Sequence, residues 1–161
     1  MTIFDSYRRG TEMTAVTNEI KFKAIGTVRS EIKEPTRQKH QDIVSEIVID
    51  KALTEALDNI DEFSHIIVLW WIHKSRRPAP TKVHPRGNPE HKLMGVFATR
   101  SPDRPNPIGK TTVRLLERRG NVLKVRGLDA IDGTPVLDIK PYIPGYDSAD
   151  DATAPPWMVK E

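Results

Sequence analysis

The apolar residues of the chain occur in short runs that alternate with turn signals. KFKAIGTVRS (21–30) and DIVSEIVID (42–50) are rich in Ile and Val and bounded by Gly or polar residues, so both predict β-strands. FSHIIVLWWIH (63–73) is almost continuously apolar, which indicates a central strand covered on both faces. LMGVFAT (93–99) predicts a further strand. Most of the core is therefore expected to come from sheet.

The alternation of residues assigns faces to two of the strands. One face of the 42–50 strand is expected to carry Ile43, Ser45, Ile47 and Ile49. VLDIKPYI (136–143) predicts the last strand, with Val136, Asp138 and Lys140 together on one face.

A hairpin and a helix complete the predicted elements. KTTVRLLERRGNVLKVRG (110–127) predicts two strands that turn at Arg119-Gly120-Asn121, where the Gly-Asn pair supplies the permissive backbone of a tight turn. KALTEALDNI (51–60) follows Asp50, a good N-cap, and is the one convincing amphipathic helix. Its apolar positions at helical spacing are Leu53, Ala56, Leu57 and Ile60.

Many short strands and one short helix predict a mainly β fold, a barrel-like coiled sheet. With 161 residues the chain is long enough for one domain, expected over 20–146, between an N-terminal tail or arm (1–19) and a C-terminal tail (147–161). There is no cysteine, no signal-peptide pattern and no apolar run long enough to span a membrane. These features lead us to expect a soluble, cytoplasmic protein.

Positive charge is concentrated in the middle of the chain. Residues 74–119 hold twelve Lys or Arg and three acidic residues, a local net charge of +9, whereas the remainder carries −6. Within this region KSRRPAPTKVHPRGNPEHK (74–92) contains four prolines and predicts a long basic loop. Such a region favours a polyanionic partner, RNA or DNA, although solvated surface charge explains it equally well.

Three possible motifs, a P-loop, a metal site and a hydrolase nucleophile, are rejected on spacing or on sequence context. The Gly-Lys-Thr at 109–111 lacks the P-loop glycine, because Arg104 occupies that position, and TTVRLL is a strand pattern. His84 and His91 match no metal-ligand spacing, so no metal site is predicted. Ser101 precedes a proline and lacks the setting of a hydrolase nucleophile.

The remaining polar residues form a constellation at strand ends and loops, where small-molecule sites of β folds collect. It comprises Arg37-Gln38, His73, the segment FATRSPDRPNPIGK (97–110) and LDAIDGTP (128–135). Taken singly, each has a plain structural explanation as a turn residue, an ion-pair partner or a strand-end histidine.

Two long and unusual runs in this constellation carry a family resemblance. MGVFATRSPDRPNPIG (94–109) and LDAIDGTPVLDIKPY (128–142) resemble the TsaA-like or TrmO-like methyltransferases, which use S-adenosylmethionine, and the resemblance extends over about 22–144. It implies a β-barrel-like methyltransferase, unrelated to the Rossmann-type methyltransferases that form the majority of this enzyme class. It also implies a homodimer that methylates N6 of threonylcarbamoyladenosine, the tRNA nucleoside on the 3′ side of the anticodon.

The resemblance further implies the residues of a cofactor site. They are Thr36, Arg37, Gln38, His73, Lys74, Arg100, Thr112, Asp129, Ala130, Ile131 and Asp132. Thr36 stands where the family often has proline, and Lys74 where glutamine is common. Many bacterial members continue into a second domain; without one, affinity for tRNA would rest on the basic loops and the partner subunit.

Chemistry adds the remaining candidate roles. Methyl transfer from a sulfonium is an in-line displacement that depends mainly on alignment, and the acceptor nitrogen must lose a proton. Asp132, Asp138 and His73 are the candidate proton acceptors, without ranking. Arg100 and Arg104 are candidates to orient a carboxylate through forked hydrogen bonds. The candidate RNA-binding residues are Arg76, Arg77, Lys82, Arg86 and Arg104.

Two other classes of function remain open from the sequence. A non-enzymatic RNA-binding module would keep the scaffold without binding the cofactor. A small-molecule methyltransferase would bind the cofactor without a salt-sensitive affinity for tRNA.

Overall fold

The computed structural model describes residues 19–36, 40–76, 78–156 and 158. Six strands form a closed barrel in the order β1-β2-β7-β6-β3-β8, and every neighbouring pair is antiparallel. The strands of the described part are β1 (Gly26–Arg29), β2 (Val44–Ile49), β3 (His65–Trp71), β4 (Lys82–Val83), β5 (Met94–Gly95), β6 (Ile108–Arg119), β7 (Val122–Arg126) and β8 (Pro135–Pro141). The predicted mainly β, barrel-like fold is confirmed, and closure removes the exposed edges of the main sheet.

The strongest sequence patterns gave the correct strands. β3 lies between β6 and β8, and its residues Ile66 and Val68 are fully buried while Ile67, on the other face, is only 8% exposed. In β2 the predicted alternation is present, with Ser45, Ile47 and Ile49 all buried. β6 and β7 form the predicted hairpin, and Gly120 in its turn has φ 58°, a left-handed value that favours glycine.

The predicted helix lies at the expected place but is a 3-10 helix. It covers Lys51–Leu57, and a second short 3-10 turn follows at Ile60–Glu62. The Asp50 carboxylate caps the first helix by accepting a hydrogen bond from Ala52 N–H at 3.0 Å. The two helices are separated because Asn59 has a left-handed backbone, with φ 62°. Only Leu57 of the first helix is buried, so the full apolar stripe expected of an α-helix is not used.

The segment 93–99 was wrongly predicted as a strand. Only Met94–Gly95 (β5) is extended, and it pairs with β4 in a two-stranded ribbon outside the barrel. A 3-10 turn follows at Val96–Ala98, which buries Val96 and leaves Phe97 77% exposed. Val96 is the one buried apolar residue of the run. The other apolar residues of the run do not enter the barrel core.

A β-bulge changes the predicted faces of β8. Leu69 of β3 pairs with Asp138 and Trp70 pairs with Val136, so one residue of β8 is inserted between these pairs. Val136 therefore shares the core side with Ile139, three residues later. Asp138 and Lys140 still lie together, with a 2.8 Å ion pair between their side chains, but they do not share the face of Val136.

The two ends of the barrel differ. Leu57 and Ile60 pack against the core at one end, beside the turn between β6 and β7. Because all barrel strands are antiparallel, the connections β1–β2, β3–β6 and β7–β8 lie at the opposite end, which we call the mouth. In the ranges described above, no helix has the length and apolar character needed to cross a membrane.

Candidate functional site

The mouth of the barrel contains a cleft of about 730 Å³. This volume is within the range of small-molecule binding sites. Residues from all three mouth connections line it, together with the adjoining strand ends. The lining residues are Pro35, Thr36, His40, Trp70, Ile72, His73, Lys74, Ser75, Arg76, Thr99, Arg100, Ser101, Pro102, Asp103, Arg104, Ile108, Gly109, Lys110, Thr111, Asp129, Ala130, Ile131 and Thr134.

One wall of the cleft is formed by Trp70 lying against a glycine. Trp70 in β3 is the direct register partner of Gly109 in β6, and a Cβ atom at Gly109 would overlap the indole ring. The indole Nε1–H donates to Thr111 Oγ1 at 3.2 Å, which fixes the plane of the ring. The aromatic ring is therefore held by its neighbours on β6 before any ligand binds.

The proline-rich segment 101–107 is tied to the end of β3 by Asp103. Its buried carboxylate accepts hydrogen bonds from Arg76 N–H at 2.8 Å and from Arg76 Nε at 2.7 Å. Burial raises the pKa of the Asp103 carboxyl, but the Arg76 amide and guanidinium lower it by more, so the pKa lies below its ordinary value. Asp103 is therefore a charged anchor that joins the beginning and the end of the β3–β6 connection.

Two arginines of the same wall are held by backbone carbonyls. Arg100 Nη2 donates to the Lys110 carbonyl at 3.0 Å, and Arg104 Nη1 makes a longer contact, 3.4 Å, with the Thr99 carbonyl. Each contact uses one of the five N–H donors of a guanidinium. These contacts orient the planar groups at the edge of the cleft.

The two aspartates of the LDAIDGTP segment tie the β7–β8 connection to the β1–β2 connection. Asp132 lies 2.8 Å from Lys33 Nζ and accepts from Ser30 N–H at 2.9 Å. The lysine and the amide lower the pKa of the Asp132 carboxyl. Asp129 Oδ1 lies 3.0 Å from His40 Nε2, and its side chain remains 68% exposed along the cleft. The Asp129 side chain thus remains accessible from the cleft, whereas the Asp132 carboxylate is bound by Lys33 and by the Ser30 amide.

Two histidines line the cleft in different settings. His40 is mostly buried, and its buried Nδ1 has no hydrogen-bond partner among the described residues. His73 follows β3, and its Nδ1 makes a long contact, 3.4 Å, with the hydroxyl of the buried Thr134. His73 itself is exposed.

The predicted cofactor residues are largely brought together. Seven of them line the cleft: Thr36, His73, Lys74, Arg100, Asp129, Ala130 and Ile131. Lys74 is also bonded to the β1–β2 connection, because its Nζ lies 2.7 Å from Glu34 Oε1. Arg37 and Gln38 lie outside the described residues. Among the described lining residues, Thr112 and Asp132 are absent. Thr111 lines the cleft, and Thr112 lies on the other face of β6.

The three candidate proton acceptors are separated by the fold. His73 lines the cleft. Asp132 is bonded to Lys33 and Ser30, and Asp138 is paired with Lys140 on β8, which raises the pKa of that lysine. Neither aspartate belongs to the cleft lining among the described residues.

The predicted RNA-binding residues that the structure describes all belong to the β3–β6 connection. Arg76 and Arg104 line the cleft, Lys82 is exposed in β4, and Arg86 is exposed in a short turn that follows. Arg77 is outside the described residues.

Several contacts in the cleft lining could not be predicted from sequence patterns. Gly109 lies within a motif run, but its contact with Trp70 depends on a register between strands that are distant in the chain. One of the adjacent residues Trp70 and Trp71 was expected to leave the core and contact a ligand or a partner. Trp70 packs against the core and also lines the cleft. His40 carries no motif, and only its approach to Asp129 identifies it.

Comparisons with known proteins agree with this geometry. The family model for the tRNA-methyltransferase O N-terminal domain matches residues 27–148. A protein of Escherichia coli K12 named tRNA (adenine(37)-N6)-methyltransferase is 38% identical over 152 residues, which cover 85% of this chain and 63% of that protein. A protein of Methanothermobacter thermautotrophicus, named a probable S-adenosyl-L-methionine-binding protein, is 46% identical over 134 residues, covering 81% of this chain and 95% of that protein.

Other relatives are considerably longer. A probable S-adenosyl-L-methionine-binding protein of Archaeoglobus fulgidus is 47% identical over 137 residues, and the match covers 83% of this chain but 37% of that protein. A crystal structure of TrmO from Pseudomonas aeruginosa superposes with a TM-score of 0.72 at 31% identity, covering 87% of this chain and 62% of that one. Since the family model covers most of the chain and the solved fold is the same, this chain belongs to the tRNA-methyltransferase O family and carries its N-terminal domain.

Proposed function

We propose that this protein is an S-adenosylmethionine-dependent methyltransferase that acts on tRNA, at N6 of the adenine on the 3′ side of the anticodon. The observation that carries the proposal is the gathering of seven predicted cofactor residues around one cleft, from three connections distant in the chain. The name of the relative in E. coli supports the reaction, and the name of the relative in M. thermautotrophicus supports the cofactor.

The residues of the cleft suit the proposed cofactor. A volume of about 730 Å³ accommodates a nucleoside joined to an amino acid. Trp70 offers an aromatic ring to a purine, and the exposed oxygen of Asp129 accepts from hydroxyl or ammonium groups. Arg100 and Arg104 offer guanidinium donors to a carboxylate. The bound sulfonium supplies an activated methyl group that already has its leaving group.

Within this proposal the chain's own residues align the acceptor and remove its proton. The prolines at 102, 105 and 107 restrict the backbone that carries Arg100 and Arg104, and Asp103 anchors it. We assign the role of proton acceptor to His73, because His73 is the one candidate of the three that lines the cleft in the described structure. The lowered pKa of Asp132 also makes that carboxylate a weak base.

The proposed partner is tRNA, and the proposed assembly is a homodimer in the cytoplasm. The concentration of positive charge in residues 74–119 supports binding of a polyanion. The exposed side chains of Phe97 (77%) and Leu93 (48%), beside the cleft wall, suit a subunit contact. Sedimentation equilibrium at micromolar concentration tests the dimer, and a single monomeric species would contradict it.

Mass spectrometry of nucleosides tests the function directly. The protein is incubated with tRNA and isotopically labelled S-adenosylmethionine, and the tRNA is then digested. We expect a labelled methyl group on the modified adenosine beside the anticodon. Cofactor binding with methyl transfer only to a small molecule would support the second class of function. RNA binding without cofactor binding would indicate a non-enzymatic module.

A further inference from the structure

A second cleft, of about 550 Å³, adjoins the first. The two share Arg76 and the segment 99–103 as a common wall. The basic 74–92 segment forms most of the remaining lining. The lining residues are Arg76, Pro80, Val83, His84, Pro85, Arg86, Gly87, Pro89, Thr99, Arg100, Ser101, Pro102, Asp103 and Met158.

The second cleft is positively charged. Arg76, Arg86 and Arg100 line it, and the one acidic residue of the described lining is Asp103. The carboxylate of Asp103 is already engaged by two hydrogen bonds from Arg76. The charges of Arg86 and Arg100 are therefore not neutralised inside the cleft. Among its other lining residues, Val83, Pro85 and Pro89 provide apolar surface beside the cations.

The backbone of Arg86 is an outlier that points to a use for its side chain. Arg86 has φ 55° and Gly87 has φ 65°, both in the left-handed region. A tight turn holds them, since Gly87 N–H donates to the His84 carbonyl at 2.9 Å and Asn88 N–H to the Pro85 carbonyl at 3.1 Å. Glycine suits such a position better than arginine does. Strain of this kind is typical of residues whose side chains serve a site.

We propose that the second cleft binds an oxyanion of the RNA acceptor, with Arg86 as its main contact. The inference rests on the proposed function, in which the first cleft holds the methyl donor. Guanidinium groups bind phosphate and carboxylate through the same paired N–H donors. The oxyanion is therefore either a phosphate next to the target nucleotide or the carboxylate of the substituent on the target adenine. The shared wall places this group beside the first cleft.

Binding of anticodon stem-loop RNA to the full chain, measured over a range of salt concentrations, tests this role. Arg86→Gly removes the guanidinium and also removes the strain of a left-handed backbone at a non-glycine residue, so the variant is expected to fold. We expect its affinity for RNA to fall about tenfold, and the slope of log affinity against log salt to decrease by about 0.7 if a phosphate is lost. Affinity for S-adenosylmethionine is expected to stay unchanged, since Arg86 does not line the first cleft.

Two further variants sharpen the test. Arg86→Lys keeps the charge and is expected to recover part of the affinity. Lys51→Ala removes an exposed cation that begins the 3-10 helix after β2, away from both clefts, and is expected to bind RNA as the native protein does. Equal affinity and equal salt slope for native protein, Arg86→Gly and Lys51→Ala would overturn the inference, as would a native protein that binds no RNA.

Two stem-loops distinguish the source of the oxyanion. One carries plain adenosine at the target position, and the other carries the threonylcarbamoyl substituent. If Arg86→Gly loses affinity for both RNAs, Arg86 binds a phosphate. If it loses affinity only for the substituted RNA, Arg86 binds the carboxylate of the substituent. If the native protein methylates neither RNA but Arg86 still governs binding, the proposed methyltransferase function fails and the second cleft keeps its role.

Discussion

At the scale of single residues, Gly109 controls the wall of the first cleft. Alanine at this position would place a Cβ atom inside the volume of the Trp70 indole. The ring would have to tilt and would lose its hydrogen bond to Thr111. We expect Gly109→Ala to lower the free energy of unfolding by about 1–3 kcal/mol and to weaken binding of S-adenosylmethionine. Denaturant unfolding and calorimetric titration measure the two effects.

Gly95→Ala provides the matched control. Gly95 also lies in a strand, but a Cβ atom there would have no neighbour within 4 Å. We expect this variant to keep native stability and native cofactor affinity. If Gly109→Ala and Gly95→Ala behaved alike, the indole ring would not be fixed by its contact with β6.

His73 is the residue to which the proposed proton transfer is assigned. Replacement by glutamine keeps a polar side chain in the cleft but removes a good proton acceptor. We expect His73→Gln to lower kcat by about 10²–10⁴-fold, with a much smaller change in the Kd for S-adenosylmethionine. Single-turnover methylation at saturating cofactor measures the rate. Asp138→Asn alters a carboxylate paired with Lys140 and is expected to stay near native; a greater loss in Asp138→Asn would move the role to Asp138.

At the scale of elements, the bond between Asp103 and Arg76 fixes the proline-rich segment against the end of β3. The Asp103 carboxyl has a lowered pKa in the folded protein, from an ordinary value of 3.8. Its contribution to stability is therefore fully present above the unfolded-state pKa, and it is lost as the pH falls through the lowered folded-state value. We expect Asp103→Asn to cost about 1–3 kcal/mol at neutral pH. The difference in free energy of unfolding between the native protein and Asp103→Asn should shrink below about pH 4.

Urea unfolding of both proteins between pH 3 and pH 7 measures this dependence. Asp138→Asn serves again as the control, because the ion pair of Asp138 and Lys140 is exposed to solvent and is expected to contribute little to stability. A difference between native protein and Asp103→Asn that did not change down to pH 3 would exclude a charged Asp103 as the anchor.

The elements also separate what the sequence can predict from what it cannot. β3 and the hairpin of β6 and β7 were predictable, because their patterns are local and the turn needs a glycine. The faces of β8 were not, because the bulge opposite Leu69 and Trp70 exists only in the paired sheet. The same limit applies to the site. Motif runs gave Arg100 and Asp129, whereas Thr111, His40 and the contact of Gly109 with Trp70 enter through cross-strand register and loop contacts.

At the scale of the whole molecule, the barrel has a packed end and an open end, and ligand binding should affect them differently. In the proposed site the cofactor would contact residues of the mouth, so its binding energy would stabilise those connections directly. At about 100 times its Kd, a ligand adds about 2.7 kcal/mol to the free energy of unfolding. Local openings that expose only the mouth are suppressed by the same amount, whereas openings confined to the packed end do not release the ligand.

Hydrogen exchange with and without S-adenosylmethionine resolves this difference. We expect slower exchange in the segments 72–76, 99–111 and 129–134, which contribute most of the cleft lining. We expect little change in the 3-10 helix Lys51–Leu57 and at the turn after Arg119, which lie at the packed end. S-Adenosylhomocysteine, which lacks the methyl group and the positive charge, should protect the same segments, because the contacts proposed here do not involve the sulfonium. Protection confined to the packed end, or spread evenly over the barrel, would place the cofactor outside the mouth.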